Sequence, residues 1–394
     1  MSLTPSTLPL SFRDPAQAQA LTTRLAELVA RADRPLAVMH VCGSHEQAIA
    51  RYGLRSRLPA GLEVLMGPGC PVCVTDAPEV DEAVALATSG LHILTYGDMM
   101  RVPGSTLSLD EVRAQGAKVT VIYAATQAVE VARQHPDTPI VFFATGFETT
   151  AVATAAILAN TANPPPDNLF VLSAHKWVPA AMEVVASLPD SRIDGYLAAG
   201  HAATITGSEI FEPFVQRYGR PVVIAGFEPL DILAALVVLV EQLIRHQQVL
   251  VNAFPRCVSR AGNTRAMALL NRVFEMGDGD WRGIARVPNG NLRLRPEYAR
   301  YDASLHFQTH LASPTTHPSL SSTPSTATIP PELLALRQDT SACLCGKIMT
   351  GAATPSDCRL FGTRCRPEHP VGACMVSTEG ACRIWLEHDL ARPA

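Results

Sequence analysis

Eight short, continuously apolar runs alternate with helical segments over roughly the first 250 residues, and this alternation constrains the chain more than any other feature. The runs are Leu36–Val41, Leu62–Met66, Leu91–Thr95, Val119–Ala124, Ile140–Ala144, Leu169–Ser173, Tyr196–Ala199 and Val222–Ala225. Between them lie segments such as PEVDEAVALATSG, SLDEVRAQG, TTAVATAAILAN and the long run from Pro229. Continuously apolar strands need cover on both faces, which parallel sheets flanked by helices provide. The pattern predicts an α/β fold with two consecutive parallel-sheet α/β domains, at 34–134 and 135–250. A helical segment at 1–33 precedes them, and a loop-rich C-terminal region at 251–394 follows. Within that region the stretch at about 313–331, SPTTHPSLSSTPSTATIPP, has little to bury and reads as a flexible surface insertion.

At 394 residues the chain is longer than one core usually supports. Its 32 Lys and Arg nearly balance 36 Asp and Glu, leaving a formal charge of −4. Neither nucleic acid nor an anionic membrane is therefore an expected partner. The most apolar segment, Asp231 to Ile244, carries Glu241 and is shorter than the about 20 residues that a bilayer span needs, so it reads as a buried helix. The N-terminal MSLTPSTLPLSFRDP lacks the basic start and apolar core of a secretory signal, and the expected location is the cytoplasm.

Cytoplasmic thiols are kept reduced, so the 10 cysteines point to metal binding or redox chemistry rather than to structural disulfides. They fall into two groups. Cys343, Cys345, Cys358, Cys365, Cys374 and Cys382 crowd a Gly- and Pro-containing tail, which suits a loop-built metal site. The tail has no paired CxxC knuckles of the zinc type, which favours an iron–sulfur cluster, and six thiols exceed the four such a cluster takes. Cys257 stands alone and reads as a small buried apolar residue.

The front group comprises Cys42 in CGSHE and the CxxC of GPGCPVCVT, Cys70 and Cys73. CxxC spacing permits both a reversible disulfide and two-point metal ligation. With His45 and Glu46 beside Cys42, the residues alone leave a mononuclear metal site and a redox pair equally open. His45 and Glu46 are candidates for positioning a metal or moving a proton, and Glu46 is equally a candidate helix cap. In parallel sheets, sites lie beyond the carboxyl ends of strands. Cys42, the CxxC, GDMMRVPGS and TGFETT all occupy such places, and a shared cleft is expected. Asp98 and Arg101 read as an ion pair shaping it, Glu148, Thr149 and Thr150 as helix caps or cleft residues, and His175 and His201 as structural histidines.

VCGSHEQAI, GPGCPVCVT, YGDMMRVPGS, TGFETTA, IAGFEPLDIL and PVGACMVSTEGAC, in this order, resemble the signature segments of the HypD family of hydrogenase maturation (formation) proteins. WRGIARVPNGNLRLRPEYARYDA is similar to its counterpart too. The resemblance implies two α/β domains and a C-terminal iron–sulfur domain. It implies a scaffold for assembling the Fe(CN)2CO group of [NiFe] hydrogenase, working with a HypC-type chaperone and a HypE-type cyanide donor. Carried over, Cys42, Cys70 and Cys73 bind iron and change redox state. Cys358, Cys365, Cys374 and Cys382 hold a [4Fe–4S] cluster, with Cys345 as an alternative ligand and Cys343–Cys345 as an accessory pair. The chain departs from the pattern at Gln47, where many relatives have a second histidine, around His201 in AAGHAATITG, and in the Ser/Thr/Pro-rich stretch. Two other readings stay open: a cluster-dependent protein disulfide reductase, and a zinc-stabilised interaction module.

Overall fold

The structure, a computed structural model, describes residues 12–308 and 342–390; the stretch at about 313–331 lies outside them. All eight apolar runs form strands: β1 Leu36–His40, β2 Leu62–Met66, β3 His92–Thr95, β4 Val119–Val121, β5 Ile140–Gly146, β6 Leu169–His175, β7 Gly195–Ala199 and β8 Val222–Ala225. A short edge strand, β9 Leu250–Asn252, joins them. They build two parallel sheets, β2-β1-β7-β8-β9 and β4-β3-β5-β6. Nearly every residue of β1, β5 and β7 is buried, as strands covered on both faces require.

The sheets do not divide the chain at 134/135. After β2 the chain leaves the five-stranded sheet, completes the four-stranded one with β3 to β6, and returns at β7, which pairs with β1. Strand pairing is decided by which apolar faces meet, and a list of strands in sequence order does not encode it. The chain thus crosses between sheets twice, through 67–91 and 176–194, and the CxxC lies in the first crossing. A buried ion pair fastens the two crossings together: fully buried Lys176 donates to Glu79, which also accepts from Asn291 Nδ2.

Asn291 belongs to an antiparallel ribbon, β10 Phe274–Trp281 and β11 Ala285–Leu294, that the sequence pattern missed. Buried residues of this ribbon are interspersed with exposed ones and with Gly277, Gly279 and several charges, so no continuous apolar run marks it. It lies across both crossings, bridging Thr75 to Trp281 and Lys176 to Asn291. On the other side, the helix Pro229–Ile244 contributes Ile232, Leu236 and Val240 to the core under the five-stranded sheet, and the helix Pro15–Val29 packs on it through Leu25 and Leu28. Among the described residues no helix is long and apolar enough to cross a membrane.

One close approach sets the geometry that follows. Gly69 lies with its backbone against Val41 and Cys42, where any Cβ would collide with the Val41 carbonyl carbon and the Cys42 nitrogen. Gly69 therefore brings the loops after β1 and β2 into direct backbone contact, and the Gly43 amide donates to the Gly69 carbonyl. Gly69→Ala is expected to cost about 3 kcal/mol, since neither backbone can give way without moving a strand. Urea unfolding of this variant against wild type checks it, with a loss under about 0.5 kcal/mol contradicting the contact.

Candidate functional site

Cys42 follows β1 and sits at the N-terminus of the helix Gly43–Arg51, almost fully buried. Burial pushes its thiol up to about 12, with the Glu379 carboxylate adding to the rise, while the His45 and Ser44 amides at the helix start pull the other way. The thiol is thus protonated near neutral pH. Its Sγ lies 3.8 Å from Nδ1 of His201, which follows β7 on the returning strand. The topology places His201, which from sequence reads as a structural histidine, beside Cys42. The signal was its position beyond a strand's carboxyl end.

Cys70 caps the short helix Pro71–Val74, and Cys73 lies within it. The two are joined as a disulfide with Cα atoms 5.2 Å apart. His45 is buried and stacks on Phe227. Its Nε2 donates to the Gly226 carbonyl at 3.0 Å, leaving Nδ1 with no partner. Burial, with His40 and His201 nearby, lowers its pKa to about 3, so the ring is neutral and its Nδ1 lone pair is uncommitted.

Glu46 is fully committed. It accepts from Arg55 Nη2 at 2.6 Å, from His40 Nε2 at 2.8 Å and from Trp385 Nε1 at 2.8 Å, the last from the helix Ala381–Glu387 of the tail. Burial favours its neutral form, but Arg55 and His40 outweigh burial and hold the carboxyl at about 2. Arg55 also donates to the Val64 carbonyl of β2 and lies over the Trp385 ring. Glu46 thus ties β1, β2 and the tail together.

The tail gathers its thiols in the same way. Cys343 and Cys345 Sγ atoms are 3.3 Å apart. Hydrogen bonds from Cys343, Cys374 and Cys382 hold Cys345 well below the ordinary thiol value, and the same bonds, reinforced by burial, push Cys374 and Cys382 up. Cys365 is pushed up by burial, with Cys345 and Cys358 adding to the rise, and accepts from the Val371 amide. Cys358 is buried, with its Sγ 4.0 Å from the Ala342 carbonyl. Cys345 therefore stands with Cys374 and Cys382. Gly372 makes the room: a Cβ there would lie 2.5 Å from Cys345 Sγ and 2.7 Å from Cys343 Sγ. Among the described residues no three His, Cys, Asp or Glu side chains are drawn into a set for a single ion. The all-thiol donor set and this glycine cradle fit a soft iron–sulfur cluster. Cys257, expected to be buried, is exposed in the loop after β9, where no core reaches it.

Tail and front meet directly. A Cβ on Gly43 would lie 2.6 Å from the Glu379 carbonyl oxygen, and Ser44 Oγ donates to the Glu379 side chain. The helix Ala373–Val376, carrying Cys374, packs on the helix Pro71–Val74. Asp98 and Arg101 do not pair with each other; Asp98 accepts from Ser377 Oγ and Arg101 donates to the Pro367 carbonyl, so both clasp the tail. A cleft of about 800 Å³ opens here, lined by Val72, Tyr96, Asp98, Thr145, Ser377 and Glu379. The expected convergence of loops holds for those after β2, β3 and β5. No side-chain cap forms on the helix Glu148–Leu158; Glu148 instead accepts from the Val178 amide, and burial raises its carboxyl to about 7. His175 is structural, bonded to Thr154.

Fold and site define a class: α/β proteins of two interleaved parallel sheets in which a dithiol–disulfide pair lies against a cysteine-rich tail. Residues 16–389 match the family described as "HypD: Hydrogenase formation hypA family". The chain is 40% identical over 393 residues to a hydrogenase maturation factor HypD of Azotobacter vinelandii, covering 97% of each. It is 40% identical to the HypD2 maturation factor of Bradyrhizobium diazoefficiens, covering 95% of each, and 39% identical to the HypD of Cupriavidus necator, covering 94% of each. The chain belongs to the HypD family of hydrogenase maturation factors.

The Glu46 cluster makes stability depend on acid. Because its folded pKa is depressed from 4.5 to about 2, its contribution is fully present above about pH 4.5 and is lost as pH falls toward 2. Unfolding free energies across this window should decline in wild type and decline less steeply in Glu46→Gln. Arg55→Met, which leaves the buried carboxylate without its main partner, is expected to cost about 3–5 kcal/mol at pH 7. Equal slopes in wild type and Glu46→Gln would contradict the assignment.

Proposed function

We propose that this protein is the scaffold on which the Fe(CN)2CO group of [NiFe] hydrogenase is assembled in the cytoplasm, together with a HypC-type chaperone and a HypE-type cyanide donor. The observation that carries the reading is the Cys70–Cys73 disulfide lying against the thiol-rich tail, one backbone contact from Cys42. Family membership supports it.

Cys358, Cys365, Cys374 and Cys382, or Cys345 in place of one of them, would hold a [4Fe–4S] cluster, which when bound would supply single electrons. The rest falls to the chain's own residues. Two electrons, from a low-potential one-electron carrier protein, open Cys70–Cys73 to two thiolates, and with Cys42 these hold the incoming iron. A thiol that ligates a metal gives up its proton, and His201 Nδ1, 3.8 Å from Cys42 Sγ, stands ready to take it. His45 keeps an uncommitted Nδ1 nearby. Anionic thiolates raise electron density on iron and favour π-acceptor ligands such as CN⁻ and CO. Glu46 holds the frame and does no chemistry itself, because its acceptor capacity is already taken up by Arg55, His40 and Trp385.

The disulfide beside the tail thiols also suits a cluster-dependent protein disulfide reductase. That reading requires turnover of a dithiol acceptor without partner proteins or mononuclear iron. Anaerobic purification with the HypC-type partner, followed by infrared and Mössbauer spectroscopy, separates the two. Scaffold function gives CN⁻ and CO bands and a low-spin iron distinct from the cluster; their absence from a complex with a full cluster overturns it. Cys42→Ala is expected to abolish these bands while leaving the tail absorbance intact, and undiminished bands would remove Cys42 from the ligand set.

A further inference from the structure

Between the CxxC helix and the tail thiols lies a buried guanidinium whose hydrogen bonding is incomplete. Arg282 occupies the turn between β10 and β11. Its backbone amide donates to the Val74 carbonyl and its Nε to the Thr75 carbonyl at 2.7 Å, the two residues that follow Cys73. Nη2 is closed off from solvent and has no partner. The next residue, Gly283, is pressed against Gly346, which follows Cys345; a Cβ on Gly346 would collide with the Gly283 carbonyl. The turn is thereby wedged between the two thiol centres.

A buried cation is costly unless acceptors or negative charge lie close to it. Two carboxylates lie near it but direct their hydrogen bonds elsewhere: Asp76 caps the helix Ala77–Thr88, and Glu79 binds Lys176 and Asn291. Besides Asp76 and Glu79, the sulfurs of Cys345 and Cys374 lie within electrostatic reach of the guanidinium.

We infer that Arg282 is a positioning residue supplying the buried positive charge shared by the tail thiolates and the Cys70–Cys73 pair. The inference rests on the scaffold reading only in taking the tail as a redox centre. Two electrons, from a low-potential one-electron carrier protein, break the Cys70–Cys73 bond and leave two thiolate charges. A fixed positive charge at the adjoining Val74 and Thr75 carbonyls makes that charge less costly to hold. Lys keeps the charge and Gln removes it.

The test uses full-length protein purified anaerobically without partners, as wild type, Arg282→Gln and Arg282→Lys. Iron and sulfide content, the midpoint potential of the cluster signal and the opening of Cys70–Cys73 in dithiol buffers are measured. Arg282→Gln should keep its iron and sulfide, and both midpoints should move to more negative potential. For the disulfide the shift should be about tenfold in the equilibrium constant, or about 30 mV for a two-electron couple. Arg282→Lys should stay near wild type. Unmoved midpoints in Arg282→Gln, or an equal shift in Arg282→Lys, overturn the inference and leave the scaffold reading standing. If Arg282→Gln fails to fold, wild-type midpoints in Arg282→Lys support the inference and shifted ones overturn it. Zinc in place of iron and sulfide in wild type removes the redox centre, and with it both this inference and the reading it rests on.

Discussion

A buried carboxylate holds this molecule in register. Glu46 has no exposure to water, and a charge in that position is tolerable only because Arg55, His40 and Trp385 all donate to it. Those three partners come from different places: a turn before β2, strand β1, and the last helix of the tail. Satisfying one charge therefore docks the tail onto the five-stranded sheet. Once docked, the tail lays Glu379 against Gly43 and the Cys374 helix against the CxxC helix. The thiol centres are neighbours because Glu46 needs its donors.

The topology adds a second constraint. The chain leaves one sheet and returns to it, and the CxxC lies in the outgoing crossing while the Lys176–Glu79 pair locks that crossing to the return. His201 reaches Cys42 only because β7 comes back beside β1. Interleaving thus builds a site from loops that are over 150 residues apart in sequence, with the β10–β11 ribbon wedged across the join.

The eight strands were legible because burial on both faces leaves a continuous apolar run, and the two cysteine groups were legible by density alone. The division of strands between sheets was not, since Tyr196–Ala199 pairs as well by composition with one sheet as with the other. The ribbon escaped because its buried residues are scattered among exposed ones. Glu46 was open to a catalytic or a capping role in the sequence, and only its three-dimensional neighbours, Trp385 above all, mark it as structural. Asp98 and Arg101, three residues apart and opposite in charge, suggest a pair, yet each is used to hold a different part of the tail.

In the proposed function the tail thiols and the Cys70–Cys73 disulfide form one redox unit. The most direct measurement is mass-resolved thiol labelling after photoreduction of the anaerobic protein, comparing wild type with Cys374→Ala, in which the tail's thiol group is broken. Wild type should gain two labelled thiols, at Cys70 and Cys73, and the variant none. Equal opening of the disulfide in both proteins would contradict it.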